Sequence, residues 1–181
     1  GGNIDKIISK IKDIIYPRIC PVCEEIVTPT GYLICKDCIS KLPIIKEPYC
    51  IKCGKELFEE DRAYCNECNE SRQFVSGRAL CNYNEDLKRI ILKIKYDNKR
   101  EYIEAFAKFM AIRFKSYIKK AQINCIIPVP LHKSKQKQRG FNQSELLASE
   151  LSKYLNIPFK NEYLFRVKKT KDQKGLTREE R

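Results

Sequence analysis

Eight of the ten cysteines in the chain fall on a ruler. Cys20/Cys23, Cys35/Cys38, Cys50/Cys53 and Cys65/Cys68 are all C-x2-C pairs, and their first members stand fifteen residues apart. The segments "CPVCEEIVTPTGYLICKDC" and "CIKCGKELFEEDRAYCNEC" share the layout C-x2-C-x11-C-x2-C. A C-x2-C turn brings two thiolates to one metal ion, and a second such turn completes a tetrahedron. Two structural zinc sites of four cysteines each are therefore expected. A disulfide framework would need an oxidising compartment, which nothing in the sequence suggests. Redox C-x-x-C motifs usually occur singly beside a βαβ pattern. Sequential ligation (Cys20, Cys23, Cys35, Cys38, then Cys50, Cys53, Cys65, Cys68) closes shorter loops than a cross-braced arrangement, at lower entropic cost, and is favoured. The segment carries too many Glu, Asp and Lys residues to support itself by an apolar core, so its folding is coupled to metal, worth about 10–16 kcal/mol per structural site. Four-thiolate sites leave no open position, which argues against zinc catalysis. Cys81 and Cys125 lie outside the array in apolar stretches and read as ordinary buried thiols.

The 181 residues allow one ordinary domain plus a small one, and the 43% hydrophobic content is that of a globular protein. No apolar run approaches a membrane span, and "GGNIDKIISKIKDIIYP" alternates charge with isoleucine instead of forming a secretory signal. A cytoplasmic protein is expected. The charge is divided unevenly: residues 1–75 carry 11 Lys+Arg against 12 Asp+Glu, and residues 76–181 carry 25 against 11. All the excess positive charge of +13 thus lies in the second part. Such asymmetry fits an anionic partner such as nucleic acid or phosphate, or simply a basic soluble surface.

Three segments are expected: an amphipathic helix within 1–17, a double zinc ribbon over 18–75, and an α/β domain over 76–181. Ile4, Ile7, Ile8, Ile11 and Ile15 share one face of the first helix, which Pro17 stops. "GRALCNYN" reads as a short strand, and Asn84 then caps a helix carrying Leu87, Ile90, Ile91 and Ile94. A longer helix over roughly 100–120 buries Ile103, Phe106, Met110, Phe114 and Tyr117. "INCIIPV" reads as a buried strand, "FNQSELLASELSKYLNI" as a helix capped near Asn142, and "EYLFRV" as another strand. Strands alternating with helices predict a parallel sheet flanked by helices.

Between the strand ending near Val129 and the helix starting near Asn142 runs a cationic loop with Lys133, Lys135, Lys137 and Arg139 at every second position. In open α/β sheets ligands bind at the carboxyl ends of strands, where a helix N-terminus presents unpaired N–H groups. Arg139 offers a planar fork for phosphate oxygens, the lysines add mobile charge, and Gly140 permits close backbone approach. His132, the single histidine, stands at the base of the loop. A second cationic segment, "FRVKKTKDQKGLTREER", also follows a predicted strand. Together the two favour an anion site, although each alone is more often a solvated connection.

A double zinc ribbon followed by "IIPVPLHKSKQKQRGFNQSELLASELS" and then R-x3-T-x2-Q-x2-L resembles the ComF family of bacterial competence proteins, which look like type I phosphoribosyltransferases fused to a zinc-ribbon head. The resemblance covers essentially the whole chain after Ile4 and implies a phosphoribosyltransferase-like α/β domain. It makes Pro128 to Asn142 the loop that meets the pyrophosphate of phosphoribosyl pyrophosphate, with His132, Lys133, Lys135, Lys137, Arg139, Gly140, Asn142 and Gln143 as candidate ligand-binding residues. Arg166, Lys168, Thr170, Gln173, Arg178 and Arg181 fall in the segment that corresponds to the flexible loop over the site. Lys95 and Tyr96 match an earlier basic-aromatic pair. Zinc, and Mg2+ accompanying phosphoribosyl pyrophosphate, are the cofactors implied, and single-stranded DNA and a competence helicase are the partners. The resemblance also admits a position at the inner face of the membrane, beside the DNA-uptake machinery. The family continues into a "DD-x-x-T-T-G-x-T" turn that grips the ribose and 5′-phosphate, whereas this chain stops at Arg181, so a C-terminally incomplete domain is expected. Without that turn the competing reading is a non-catalytic module, a zinc ribbon that binds single-stranded DNA or serves as a protein scaffold.

Overall fold

The computed structural model describes residues 15–59, 61–69 and 74–168. The predicted N-terminal helix falls almost wholly outside these residues, as do Thr170, Gln173, Arg178 and Arg181.

The cysteine-rich part is one small unit built twice. In the first copy Ile19 bridges Ile26 antiparallel, and the knuckle closes through Glu24 N–H to Cys20 O at 3.0 Å and Cys20 N–H to Glu25 O at 2.8 Å. In the second, Tyr49 bridges Glu56, with Gly54 N–H to Cys50 O and Cys50 N–H to Lys55 O, both 2.8 Å. Each copy then carries one helical turn bearing its second cysteine pair, α1 (Lys36–Ile39) and α2 (Asn66–Asn69). The knuckle demands a left-handed residue after its second cysteine, supplied by Glu24 (φ 65°) in one copy and Gly54 (φ 78°) in the other.

The helices of the remainder are α3 (Glu85–Tyr96), α4 (Tyr102–Lys120), α5 (Lys133–Arg139) and α6 (Gln143–Leu155). Asn84 caps α3 as expected, its side-chain oxygen accepting from Leu87 N–H at 2.9 Å. Leu87, Ile90 and Ile94 are buried along that helix. The long helix buries Tyr102, Ile103, Ala105, Ala107, Ala111 and Phe114, so small alanines form its inner face and α6 packs closely along it. One core joins the first ribbon to the helices, with Cys20, Val27, Ile34, Cys35, Cys38 and Leu42 beside Ile90, Ile94, Tyr102, Ile103 and Phe141. The second ribbon has its own small cluster of Cys50, Leu57, Cys65 and Cys68.

Two expectations need correction. The first is the parallel sheet: among the described residues β pairing is confined to isolated bridges, and only Ile126–Phe159 is parallel. The segment "GRALCNYN" pairs instead at Cys81, antiparallel to Ile44 of the ribbon. "EYLFRV" forms no strand and meets no strand partner among the described residues, and Tyr163, Leu164, Phe165 and Val167 are exposed. Apolar β-branched composition marks a strand only when a neighbour accepts its ladder, and composition cannot supply the neighbour. The second is the cationic loop, which is helical: α5 runs from Lys133 to Arg139, with His132 at its N-cap and Gly140 (φ 78°) at its C-cap. Lys, Gln and Arg are good helix formers, and the alternation of charge did not reveal the helix because α5 buries none of its residues.

Candidate metal centres and anion sites

The eight ruler cysteines gather as two sequential sets, Cys20, Cys23, Cys35, Cys38 and Cys50, Cys53, Cys65, Cys68, and within each set the sulfurs lie within 4.8 Å of one another. Cys23 and Cys35 sulfurs are 3.9 Å apart, and those of Cys53 and Cys65 3.7 Å. Zinc–sulfur bonds of about 2.3 Å at tetrahedral angles place sulfurs about 3.8 Å apart, so the donor set fits zinc. Backbone groups prepare the charge. Burial pushes the Cys20 thiol up, but N–H groups of the Cys23, Cys35 and Val22 peptides outweigh it and bring the thiol down to about 7. Cys50 is treated alike through Cys53, Cys65 and Lys52 and falls to about 6. Burial and the neighbouring sulfurs push Cys38 and Cys68 up to about 12. Four thiolates so close repel one another, and a divalent cation removes the conflict. Cys81 and Cys125 stay outside both sets and are half-buried, and burial raises the Cys81 thiol to about 11.

The residues expected to hold an anion do not form one site. Helix α5 separates two cavities. One, of about 580 Å3, lies where the chain leaves the Ile126–Phe159 bridge: Pro128, Pro130, Leu131, His132, Lys133, Asn142 and Arg166 line it, with Glu145 and Asn161 on its wall. Glu145 accepts from the Asn161 amide at 2.6 Å, so that carboxylate is engaged within the wall. His132 serves structure here, its Nδ1 accepting from Ser134 N–H at 3.3 Å and lying 2.8 Å from the Ser134 hydroxyl. Asn142 is buried and committed too, donating to Val129 O at 3.1 Å and accepting from Ser144 N–H at 3.0 Å. It thereby ties the end of the extended segment to the N-terminus of α6. Lys133 is exposed at the cavity mouth.

The other cavity, of about 500 Å3, lies on the opposite side of α5 and takes Lys135 and Arg139 together with Lys95 and Tyr96 from the end of α3, Arg100 from the α3–α4 turn, and Phe141. The Arg139 guanidinium stands 5.3 Å from the Tyr96 ring centre and donates to Gln143 Oε1 at 2.6 Å. Arg100 lies over Phe141 at 4.2 Å. Lys137 lines neither cavity and is exposed. Lys168 is exposed at the end of the described residues. Arg100 was not legible as a site residue, whereas Phe141 was legible only as one of the few aromatics within the two cationic segments. Arg100 closes a turn that reads only as a helix breaker.

Residues 11–82 match the double zinc ribbon domain family. Competence protein F of Haemophilus influenzae is 30% identical over 152 residues, which span 82% of this chain and 65% of that protein. ComFC of Bacillus subtilis is 28% identical over 181 residues, 94% of this chain and 74% of its own. The DNA utilization protein YhgH of Escherichia coli O157:H7 is 24% identical over 168 residues, 89% and 72% respectively. The chain thus spans between about two thirds and three quarters of the length of these relatives. No solved structure matches it. With two four-cysteine sites in a ribbon built twice, and with relatives that follow it from the ribbon into the helical part, the chain is a double-zinc-ribbon homologue of competence protein F and ComFC.

Proposed function

We propose that this chain is a competence-associated DNA-uptake protein. Its cavity beside the Ile126–Phe159 bridge takes the pyrophosphate of phosphoribosyl pyrophosphate, or a related phosphate ligand, and its basic half assists single-stranded DNA. The names of its relatives, competence and DNA utilization proteins, support the role. The observation that carries the ligand reading is the cavity at the Ile126–Phe159 bridge, where Lys133 and Arg166 face the start of α6. A helix of this length presents unpaired N–H groups and the positive end of its dipole to a bound anion. Asn142 ties the Val129 backbone to the start of α6, which keeps the cradle in place before a ligand arrives. The reading is one of binding, with Mg2+ accompanying the ligand; no group in the cavity is assigned to catalysis. On this reading the partners are single-stranded DNA and a helicase of the uptake machinery. Among the described residues no helix is long and apolar enough to cross a membrane.

Titration calorimetry of the zinc-loaded chain with phosphoribosyl pyrophosphate and Mg2+ tests the cavity. Saturable binding, weakened about tenfold or more by Lys133→Ala, is expected from a charge-assisted contact worth about 1.5–3 kcal/mol. Binding that is absent, or indifferent to that substitution, removes the cavity assignment. If the chain also ignored oligo-dT, a protein-binding scaffold would be the remaining role for the ribbons.

A further inference from the structure

The second cavity is unlike the first in one chemical respect: it combines charge with aromatic rings. Lys95, Arg100, Lys135 and Arg139 contribute four cations, and no acidic residue lines it. Glu101, which follows in the same turn, is engaged with Lys99 at 3.7 Å. Tyr96 is 67% exposed although it stands in the wall. Its ring is steadied by the Arg139 guanidinium at 5.3 Å, which Gln143 in turn holds at 2.6 Å. An exposed ring backed by a fixed cation is a surface on which a planar group can stack with little ordering cost. Arg100 is positioned in the same way, its guanidinium over the Phe141 ring at 4.2 Å from the ring centre. A small phosphate ligand would use the charges and leave the ring idle. A double helix would hide its bases from the ring.

We propose that the cavity between the α3–α4 turn and α5 is a single-stranded nucleic-acid site, in which Tyr96 stacks a base and Lys95, Arg100, Lys135 and Arg139 neutralise the flanking phosphates. It rests on the DNA-handling reading above and gives that reading an address apart from the cavity beside the Ile126–Phe159 bridge. Each half of the site has its own signature. The cations make affinity fall with salt, with a logarithmic slope of about −0.7 per phosphate neutralised. The ring contributes a base-dependent component that salt does not remove.

The test is fluorescence anisotropy of labelled dT20 on the zinc-loaded full chain at 50 and 200 mM salt, alongside an abasic oligomer of the same length. Tyr96→Ala is expected to weaken dT20 binding about five- to hundredfold while changing the abasic oligomer little, and Tyr96→Phe to restore it. Lys95→Gln is expected to weaken both oligomers and to reduce the salt slope by about 0.7. Lys119→Gln, near the end of α4 and lining neither cavity, is expected to leave dT20 binding close to wild type. Because Tyr96 is largely exposed, its substitution spares the core, and an unchanged zinc content and circular dichroism spectrum verify this. If the chain binds dT20 and neither Tyr96→Ala nor Lys95→Gln alters it, the site is wrong while the DNA reading stands. If equal affinity for dT20 and the abasic oligomer persists in wild type, base stacking is refuted. If the chain binds no oligomer at 50 mM salt, the site and the DNA reading fall together, whatever phosphoribosyl pyrophosphate does.

Discussion

The two zinc ribbons have the same knuckle geometry and different neighbours. The first puts three cysteines into the core shared with α3, α4 and Phe141, and is tied outward by Arg18 to Glu104 at 2.8 Å and by Glu24 to Lys93. The second closes on four residues of its own. It reaches the rest of the chain through polar and stacked contacts: Gly77 N–H to Lys52 O, the Arg78 guanidinium on Ile51 O at 2.9 Å and against Tyr117 at 4.2 Å, and Glu56 to Lys46 N–H at 3.0 Å and to Asn82. Identical metal chemistry is therefore coupled to folding in two ways. In the first ribbon the metal organises a surface onto which the helices pack, whereas in the second it organises only the ribbon.

The largest expected effect separates them directly. Cys35→Ser should remove one zinc per chain and abolish cooperative unfolding of the whole molecule, since a site worth about 10–16 kcal/mol is comparable to the entire stability of a domain. Cys65→Ser should also remove one zinc, yet leave hydrogen-exchange protection over residues 85–155 close to wild type. Metal analysis with exchange mass spectrometry reads both, and equal loss of protection in the two variants would break the distinction. A smaller effect is expected at Gly54, where a Cβ would meet Ala79 N at 2.7 Å on a φ of 78°. Gly54→Ala should cost about 1–3 kcal/mol, from the left-handed backbone and the forced shift of residues 78–79. It should hasten release of one zinc to a chelator and not the other. The smallest concerns Glu56, whose carboxyl is held below its ordinary value of 4.5 by the Lys46 N–H and by Asn82. A depressed folded-state value means its contribution is complete above pH 4.5 and is lost as the pH falls through the lower folded value. An NMR titration of the Glu56 carboxyl should give a midpoint below 4.5 that returns toward it in Asn82→Ala.

Much of this architecture was legible because its signals are local. The C-x2-C pairs named both metal sites and their sequential grouping, because two thiolates on one turn leave the chain few other ways to satisfy a tetrahedron. Asn84 and Asn142 marked helix starts, since an N-cap bonds to N–H groups only two or three residues away. The candidate anion site was only half legible. Lys133, Lys135, Lys137 and Arg139 were correctly seen as a cationic stretch, but consecutive cations on a helix point in different directions, and α5 sends them to two cavities and to open solvent.

The sequence by itself determined the metal chemistry, the helix starts and the concentration of positive charge in residues 76–181, all of which depend on residue type and short spacing. Only the tertiary structure decided that the first ribbon shares its core with α3 and α4 while the second does not, and that Arg100 and Phe141 join Lys95 and Tyr96 around one cavity. Both depend on burial between segments distant in sequence, and apolar contact is non-directional: a buried isoleucine states that it will be covered, but not by which part of the chain.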